Sequence, residues 1–154
     1  MSSQIKTRAL FYFLSALVIL SGCETEDPGP LQEVEKQFSI VDFDRVEMGS
    51  AFNIRVEQSN TYGIYVKGDR RNVDDLEVFK SGTTLVIRYD DFGNRNHTTY
   101  ITITMPDLKS ANFSGACVSY VTGFESDEEL EFYLSGASVC QLDAGYREMN
   151  VVLT

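Results

Sequence analysis

The sequence predicts an all-β, solenoid-like fold in which an irregular β-rich half precedes a repeated one. Three observations carry this expectation. The hexapeptide Phe113-Ser114-Gly115-Ala116-Cys117-Val118 returns as Leu134-Ser135-Gly136-Ala137-Ser138-Val139, and Leu153-Thr154 begins a third copy at nearly the same interval. A fixed period of about 20 residues is the mark of rungs stacked one on the next. Apolar and polar residues alternate with period two in short segments from residue 38 to residue 154, as in strands with one buried face. Clusters of Gly, Pro, Asn, Asp and Ser separate those segments, each a local turn signal.

The first segment is an address. Lys6 and Arg8 form a positive region, and Ala9 to Leu20 is an uncharged, mostly apolar run. A membrane span needs about 20 apolar residues, so this shorter run has the length of a signal-peptide core instead. Leu20-Ser21-Gly22-Cys23 follows and resembles the lipobox of bacterial lipoproteins. That resemblance implies cleavage before Cys23 and lipidation of its thiol, with residues 1–22 removed. Several acyl chains on one cysteine hold a protein stably on a membrane, where a single chain is marginal. Residues 23–37 open with the acidic, Pro-rich stretch Glu24-Thr25-Glu26-Asp27-Pro28-Gly29-Pro30, which predicts a solvated tether. An acidic run just after the lipidated cysteine also resembles the surface-export signal of some Gram-negative lipoproteins. Outer-membrane attachment therefore leaves two faces open, the cell surface and the periplasm.

Charge narrows the partners. Removing residues 1–22 deletes Lys6 and Arg8 and no acid, which leaves 11 basic against 23 acidic residues and a formal charge of −12. That balance argues against nucleic acid, which needs basic patches, and against electrostatic docking on anionic lipid. The remaining chain suits one domain, residues 38–154, with a modest core.

Within that domain, Phe52, Ile54 and Val56 alternate with Asn53, Arg55 and Glu57. The same pattern recurs at Leu85 and Ile87, at Ile101 and Ile103, at Leu130, Phe132 and Leu134, and at Met149, Val151 and Leu153. Only Val73-Asp74-Asp75-Leu76 could hold a helical turn. In each repeat a strand enters Ser-Gly-Ala and a second strand leaves it. Ser114, Gly115, Ala116 and Ser135, Gly136, Ala137 are therefore structural turns, with glycine supplying a positive φ at a narrow corner. Asp127-Glu128-Glu129 falls in an outer loop of the first repeat, and Ala144 to Glu148 occupies that place in a shorter second repeat. Register places Cys117 beside Ser138 and Cys140 two positions further along, a Cα separation of roughly 8 Å. A disulfide usually needs less than about 7 Å, so two free thiols are expected.

The order of these motifs resembles a known family. Phe43-Asp44-Arg45-Val46, Gly49-Ser50-Ala51-Phe52-Asn53-Ile54, Val66-Lys67-Gly68-Asp69, Ser81 to Ile87, Ile103-Thr104-Met105-Pro106-Asp107-Leu108 and the Ser-Gly-Ala repeats together look like the putative auto-transporter adhesin head GIN domain. The resemblance covers about Phe38 to Thr154. It implies a right-handed parallel β-helix-like domain, lipid-anchored in a Gram-negative envelope, with an adhesive role and no agreed catalytic residues. Family members usually continue through more Ser-Gly-Ala rungs, and Thr154 stands in the column of Ser114 and Ser135. The domain is therefore expected to be C-terminally incomplete, or else its open β edge takes a partner or a second copy.

No catalytic or metal-binding constellation stands out, and no cofactor is expected. His97 has no neighbouring His or Cys, and no Gly-x-Ser-x-Gly elbow surrounds the Ser-Gly-Ala serines. Asp90-Asp91-Phe92-Gly93-Asn94-Arg95-Asn96 is oxygen-rich but lacks the EF-hand spacing, which favours a solvated turn. Tyr62, Tyr65, Tyr89, Tyr100, Tyr120 and Tyr133 lie on or beside strands. Of these, Tyr100, Tyr120 and Tyr133 are the candidate binding surface, since an outward tyrosine suits a glycan or a protein. Three functions follow: a non-enzymatic adhesive or binding domain, a polysaccharide-processing β-helix enzyme, and a structural envelope module without a ligand.

Overall fold

The computed structural model describes residues 29–90 and 95–154. In chain order the elements are β1 (Glu33–Phe38), β2 (Arg45–Ser50), β3 (Phe52–Gln58), β4 (Gly63–Asp69), α1 (Arg70–Asp74), β5 (Leu76–Ser81), β6 (Thr84–Tyr89), β7 (Thr99–Met105), β8 (Ser110–Gly115), β9 (Val118–Leu134) and β10 (Val139–Leu153).

The all-β expectation holds, but the right-handed parallel β-helix does not. All ten strands belong to one sheet, ordered β1-β4-β7-β3-β9-β8-β2-β6-β5, with β10 attached to β9. The sheet curls into a nearly closed barrel with a seam. The path of the sheet starts at β1 and stops at β5. The pairs β1–β4, β4–β7 and β5–β6 are antiparallel, whereas a parallel β-helix stacks parallel strands throughout. Nor is the N-terminal half a separate region. β3 lies between β7 and β9, and β2 lies between β6 and β8.

The physical reason for the discrepancy is local. The repeat period describes only the wall made by β8, β9 and β10. A Ser-Gly-Ala bend has the same sequence whether it turns a coil or folds a barrel wall, and the irregularly spaced upstream strands decide which.

Register within the repeated wall follows the hexapeptide. Val118 pairs with Val139, Phe113 with Leu134, and Leu134 with Leu153. β9 spans the bend of the wall: Val118 to Thr122 pair with β3, and Glu131 to Leu134 pair with β8. Asp127-Glu128-Glu129 is therefore not in a loop but inside β9. The length difference between the two repeats is taken up by register shifts at Asp143/Gly145 and Tyr146/Glu148. At each shift β9 advances one residue more than β10, as a β-bulge does.

Period-two alternation fills the barrel. Ile54, Ile64, Leu85, Ile87, Ile103 and Phe113 are fully buried. Burying each such side chain contributes about 1.5–3 kcal/mol. Phe113 and Phe132 meet edge to face with ring centres 5.7 Å apart, an arrangement that aromatic quadrupoles favour.

Two elements depart from the expected pattern. β1 begins at Glu33, inside the stretch expected to be a tether. Its charged residues hide the strand from an apolar pattern, and backbone pairing with β4 holds it. The helical turn sits at Arg70–Asp74, a little ahead of its expected place, because Asp69 caps it. The buried Asp69 carboxylate accepts from the Arg71 amide at 3.0 Å, from Arg71 Nε and Nη2 at 2.7 Å each, and from the Gln32 amide at 2.9 Å. It joins the chain before β1 to the end of β4.

Candidate functional site

The outer wall of β4, β7, β3 and β9 carries the candidate site. On each strand the inward residues (Ile64, Val66, Ile101, Ile103, Ile54, Val56 and Val121) are at most 1% exposed. Their sequence neighbours therefore point outward. Pairing then fixes which outward residues stand side by side. One row across the sheet reads Gln37, Tyr65, Thr102, Arg55, Tyr120, Gln141. The adjacent row reads Glu35, Lys67, Tyr100, Asn53, Val118, Val139. Tyr65, Tyr100 and Tyr120 are 48%, 50% and 38% exposed. Large aromatic rings on a hydrogen-bonded wall are rigid platforms that need little ordering on binding.

Electrostatics on this face is balanced locally. Lys67 Nζ lies 3.0 Å from Glu33 and 3.3 Å from Glu35, and hydrogen bonding to Glu33, then Glu35, pushes its pKa up. Arg55 Nη1 lies 3.4 Å from Glu57, and its guanidinium stands 5.7 Å from the centre of the Tyr120 ring. Two shallow depressions border the tyrosines. One is lined in part by Glu35, Lys36, Tyr65, Lys67, Tyr100 and Thr102, the other in part by Arg55, Tyr120, Gln141 and Asp143.

The structure thus brings together Tyr100 and Tyr120 but not Tyr133. Tyr133 lies on the far part of β9, paired with Asn112 of β8 and Val152 of β10, beyond the bend. Tyr65 replaces it. Its signal was present in the alternation of Gly63, Tyr65 and Lys67 with Ile64 and Val66, which turns Tyr65 outward. Tyr62 and Tyr89 pack on Phe43 and Phe52 at 4.9 Å and 4.8 Å, and the Tyr89 hydroxyl donates to Thr99 Oγ1 at 2.7 Å.

Ser114, Gly115, Ala116, Ser135, Gly136 and Ala137 form the bend itself. Gly115 and Gly136 have φ of 84° and 72°. The Ala116 amide donates to Ser50 O at 3.1 Å, and the Ala137 amide donates to Gly115 O at 2.7 Å. Cys117 is buried behind the bend and Cys140 half-buried, both as free thiols. Burial pushes both thiols up in pKa. Cys23 and Asp91 to Asn94 lie outside the described residues. His97 is half-buried, with Nε2 3.3 Å from Gly29 O. Among the described residues, no three His, Cys, Asp or Glu side chains are grouped to hold a metal ion.

A further depression, lined in part by Asp107, Lys109, Glu125, Glu128 and Tyr146, opens beside the bulges. Lys109 Nζ pairs with Glu128 at 3.2 Å, and the Tyr146 hydroxyl donates to Leu108 O at 2.7 Å. Lys109, Glu128 and Tyr146 are thus committed to partners within the fold.

Known structures share this architecture. An adhesin from Bacteroides fragilis NCTC 9343, described as putative, superposes with a TM-score of 0.74 at 19% identity, covering 80% of this chain and 59% of its own. A putative adhesin from Parabacteroides distasonis ATCC 8503 gives 0.67 at 17%, covering 81% and 58%. A putative lipid binding protein from the same organism gives 0.60 at 15%, covering 79% and 62%. At these identities the likeness concerns the fold, and the chain spans about three fifths of the length of these proteins. No curated protein matches the chain. The sequence itself matches the family "Putative auto-transporter adhesin, head GIN domain" over residues 42–154, the stretch that holds β2 to β10 and the whole tyrosine wall except β1. The chain belongs to that family.

Proposed function

We propose that this is a non-enzymatic, lipid-anchored protein of the outer membrane, and that its barrel is an adhesin-like binding domain working through the outer wall of β4, β7, β3 and β9. The observation that carries the reading is the set of three exposed tyrosines, Tyr65, Tyr100 and Tyr120, on one face of a continuous sheet. Family membership supports an adhesive role. Leu20-Ser21-Gly22-Cys23 supports the anchor and the envelope location. The polysaccharide-processing alternative rested on a β-helix and loses that basis with the barrel.

Adherence under flow tests the binding role. Beads coated with the full chain are expected to stay on mucin-coated or fibronectin-coated surfaces above the level of bare beads. The triple variant Tyr65→Ala, Tyr100→Ala, Tyr120→Ala is expected to lose that retention while keeping its melting temperature. Equal retention of variant and parent would sink the proposal. For the anchor, radiolabelled palmitate should enter the parent chain and not Cys23→Ser.

A further inference from the structure

We infer that the ligand of the tyrosine wall is an uncharged polysaccharide lying across the strands from Tyr65 to Tyr120; this rests on the binding face proposed above. The argument begins with charge. An anionic ligand needs an unneutralised cation, and the two cations of this wall are already engaged: Lys67 by Glu33 and Glu35, Arg55 by Glu57. Lys36 of β1 borders the depression beside Tyr65 and Tyr100, with its ammonium 5.0 Å from the centre of the Phe38 ring. The chain as a whole carries a net charge of −10, which repels polyanions at the distances where steering acts.

Spacing comes next. Tyr65 and Tyr120 stand in the same row, on strands three places apart in the order β4-β7-β3-β9. Three strand spacings amount to about 14 Å along the wall, the reach of a short run of sugar rings. Tyr100 lies diagonally between them, one row over.

Composition separates a sugar chain from a protein partner. A protein hot spot is a contiguous apolar cluster from which water is excluded. Here Thr102, Asn53 and Arg55 stand between the Tyr65–Tyr100 pair and Tyr120, so polar groups interrupt the apolar surface, which Val118 and Val139 extend only on the Tyr120 side. Gln37 and Gln141 extend the same chemistry at either end of the row. Flat aromatic faces against the C–H faces of pyranose rings, with amides and hydroxyls beside them for the sugar hydroxyls, make a complementary surface for a neutral glycan. The two depressions flank the row, one beside Tyr65 and Tyr100, the other beside Tyr120.

Affinity electrophoresis of the full chain tests this, using gels that hold dextran, mannan, xyloglucan or alginate. At least one of the three neutral polymers is expected to retard the chain, and anionic alginate is not. Tyr100→Ala and Tyr120→Ala should each weaken the retardation about tenfold, the loss of one aromatic platform. Tyr133→Ala, beyond the bend, should leave it unchanged. Retardation by alginate alone, or by none of the four, overturns the inference, as does retardation that ignores the Tyr100 and Tyr120 changes. If no polymer retards the chain but bead adherence to fibronectin still depends on the tyrosines, the ligand is a protein. The binding face would then stand and the glycan fall. If adherence ignores the tyrosines, both fall.

Discussion

The amide of Ala137 donates to the carbonyl of Gly115 at 2.7 Å, and a Cβ added at Gly136 would stand 2.5 Å from that same oxygen. The bend of one strand is therefore packed directly on the bend of the next, with no room for a side chain between them. At Gly115 a Cβ would meet Ser50 O at 2.8 Å. Gly115→Ala and Gly136→Ala should each lower unfolding free energy by about 2 kcal/mol or more, from left-handed strain and backbone clash together. Ser50 occupies the matching position of β2 with φ of 114°, a costly angle for a residue with a Cβ. Ser50→Gly should leave stability unchanged or raise it by up to about 1 kcal/mol. Urea unfolding of the three variants checks all of this.

Asp69 makes the fold acid-sensitive. Hydrogen bonding from the Arg71 side chain, reinforced by the Gln32 and Arg71 amides, holds its carboxyl far below the usual carboxylate range against the opposing effect of burial. A depressed pKa means that the folded chain binds the proton more weakly than the unfolded one. The resulting stabilisation is complete above the ordinary Asp value of about 4 and is lost as pH falls below it. Asp69→Asn should cost about 2–4 kcal/mol at neutral pH and flatten the acid limb of a stability profile.

At the alkaline end the group to watch is Tyr146. Burial, then the Asp107 charge, push its phenol up to about 12. The folded chain keeps this proton longer than the unfolded chain does. Stability from Tyr146 is thus present below the ordinary value of about 10 and declines as pH rises from there towards 12. Tyr146→Phe removes the bond to Leu108 O and should cost about 1 kcal/mol, with a weaker alkaline decline in thermal melts.

Thiol accessibility offers an independent check on the wall. Cys117 Sγ lies 3.1 Å from Ser50 O and 3.3 Å from Ser114 O, behind the bend. Iodoacetamide at pH 8 should modify Cys140 slowly and Cys117 only on global unfolding, because the buried thiol is protonated and shielded. In urea without reductant, both should gain mass; failure of either to do so would show a disulfide.

Core and wall residues should separate cleanly. Ile54→Ala empties a fully buried site and should cost about 2–5 kcal/mol. Tyr100→Ala, on the outside of the neighbouring strand, should stay within about 0.5 kcal/mol. Chemical denaturation distinguishes them.

Much of the repeated wall can be read from spacing alone. The repeat offset places Phe113 beside Leu134 and Val118 beside Val139, and the pairing agrees. What spacing hides is the third member of the column. Gly49-Ser50 pairs in register with Ser114-Gly115, but its glycine sits one place early and far upstream in the chain, so no repeat search aligns it. Closure of the barrel is hidden for a similar reason. It depends on β4 reversing against β7 and β5 against β6, and antiparallel partners share no sequence identity to find. The candidate site was legible residue by residue, since outward tyrosines follow from alternation. Their grouping was not, because β9 is one strand with two sets of neighbours, and Tyr120 and Tyr133 fall on opposite sides of that change.

The clamp at Asp69 has a mechanical meaning. β1 is bonded only to β4, at the end of the sheet. Its first residue, Glu33, faces Asp69. Just before it, the Gln32 amide donates to Asp69 and the Gln32 carbonyl accepts from the Arg70 amide at 2.8 Å. Tension entering from the N-terminal side meets the Gly29–His97 and Pro30–Arg71 contacts, then loads these two bonds before it peels β1 from β4 one pair at a time. A pull from that direction meets its firmest resistance at the threshold, where a buried carboxylate passes the load into the barrel wall.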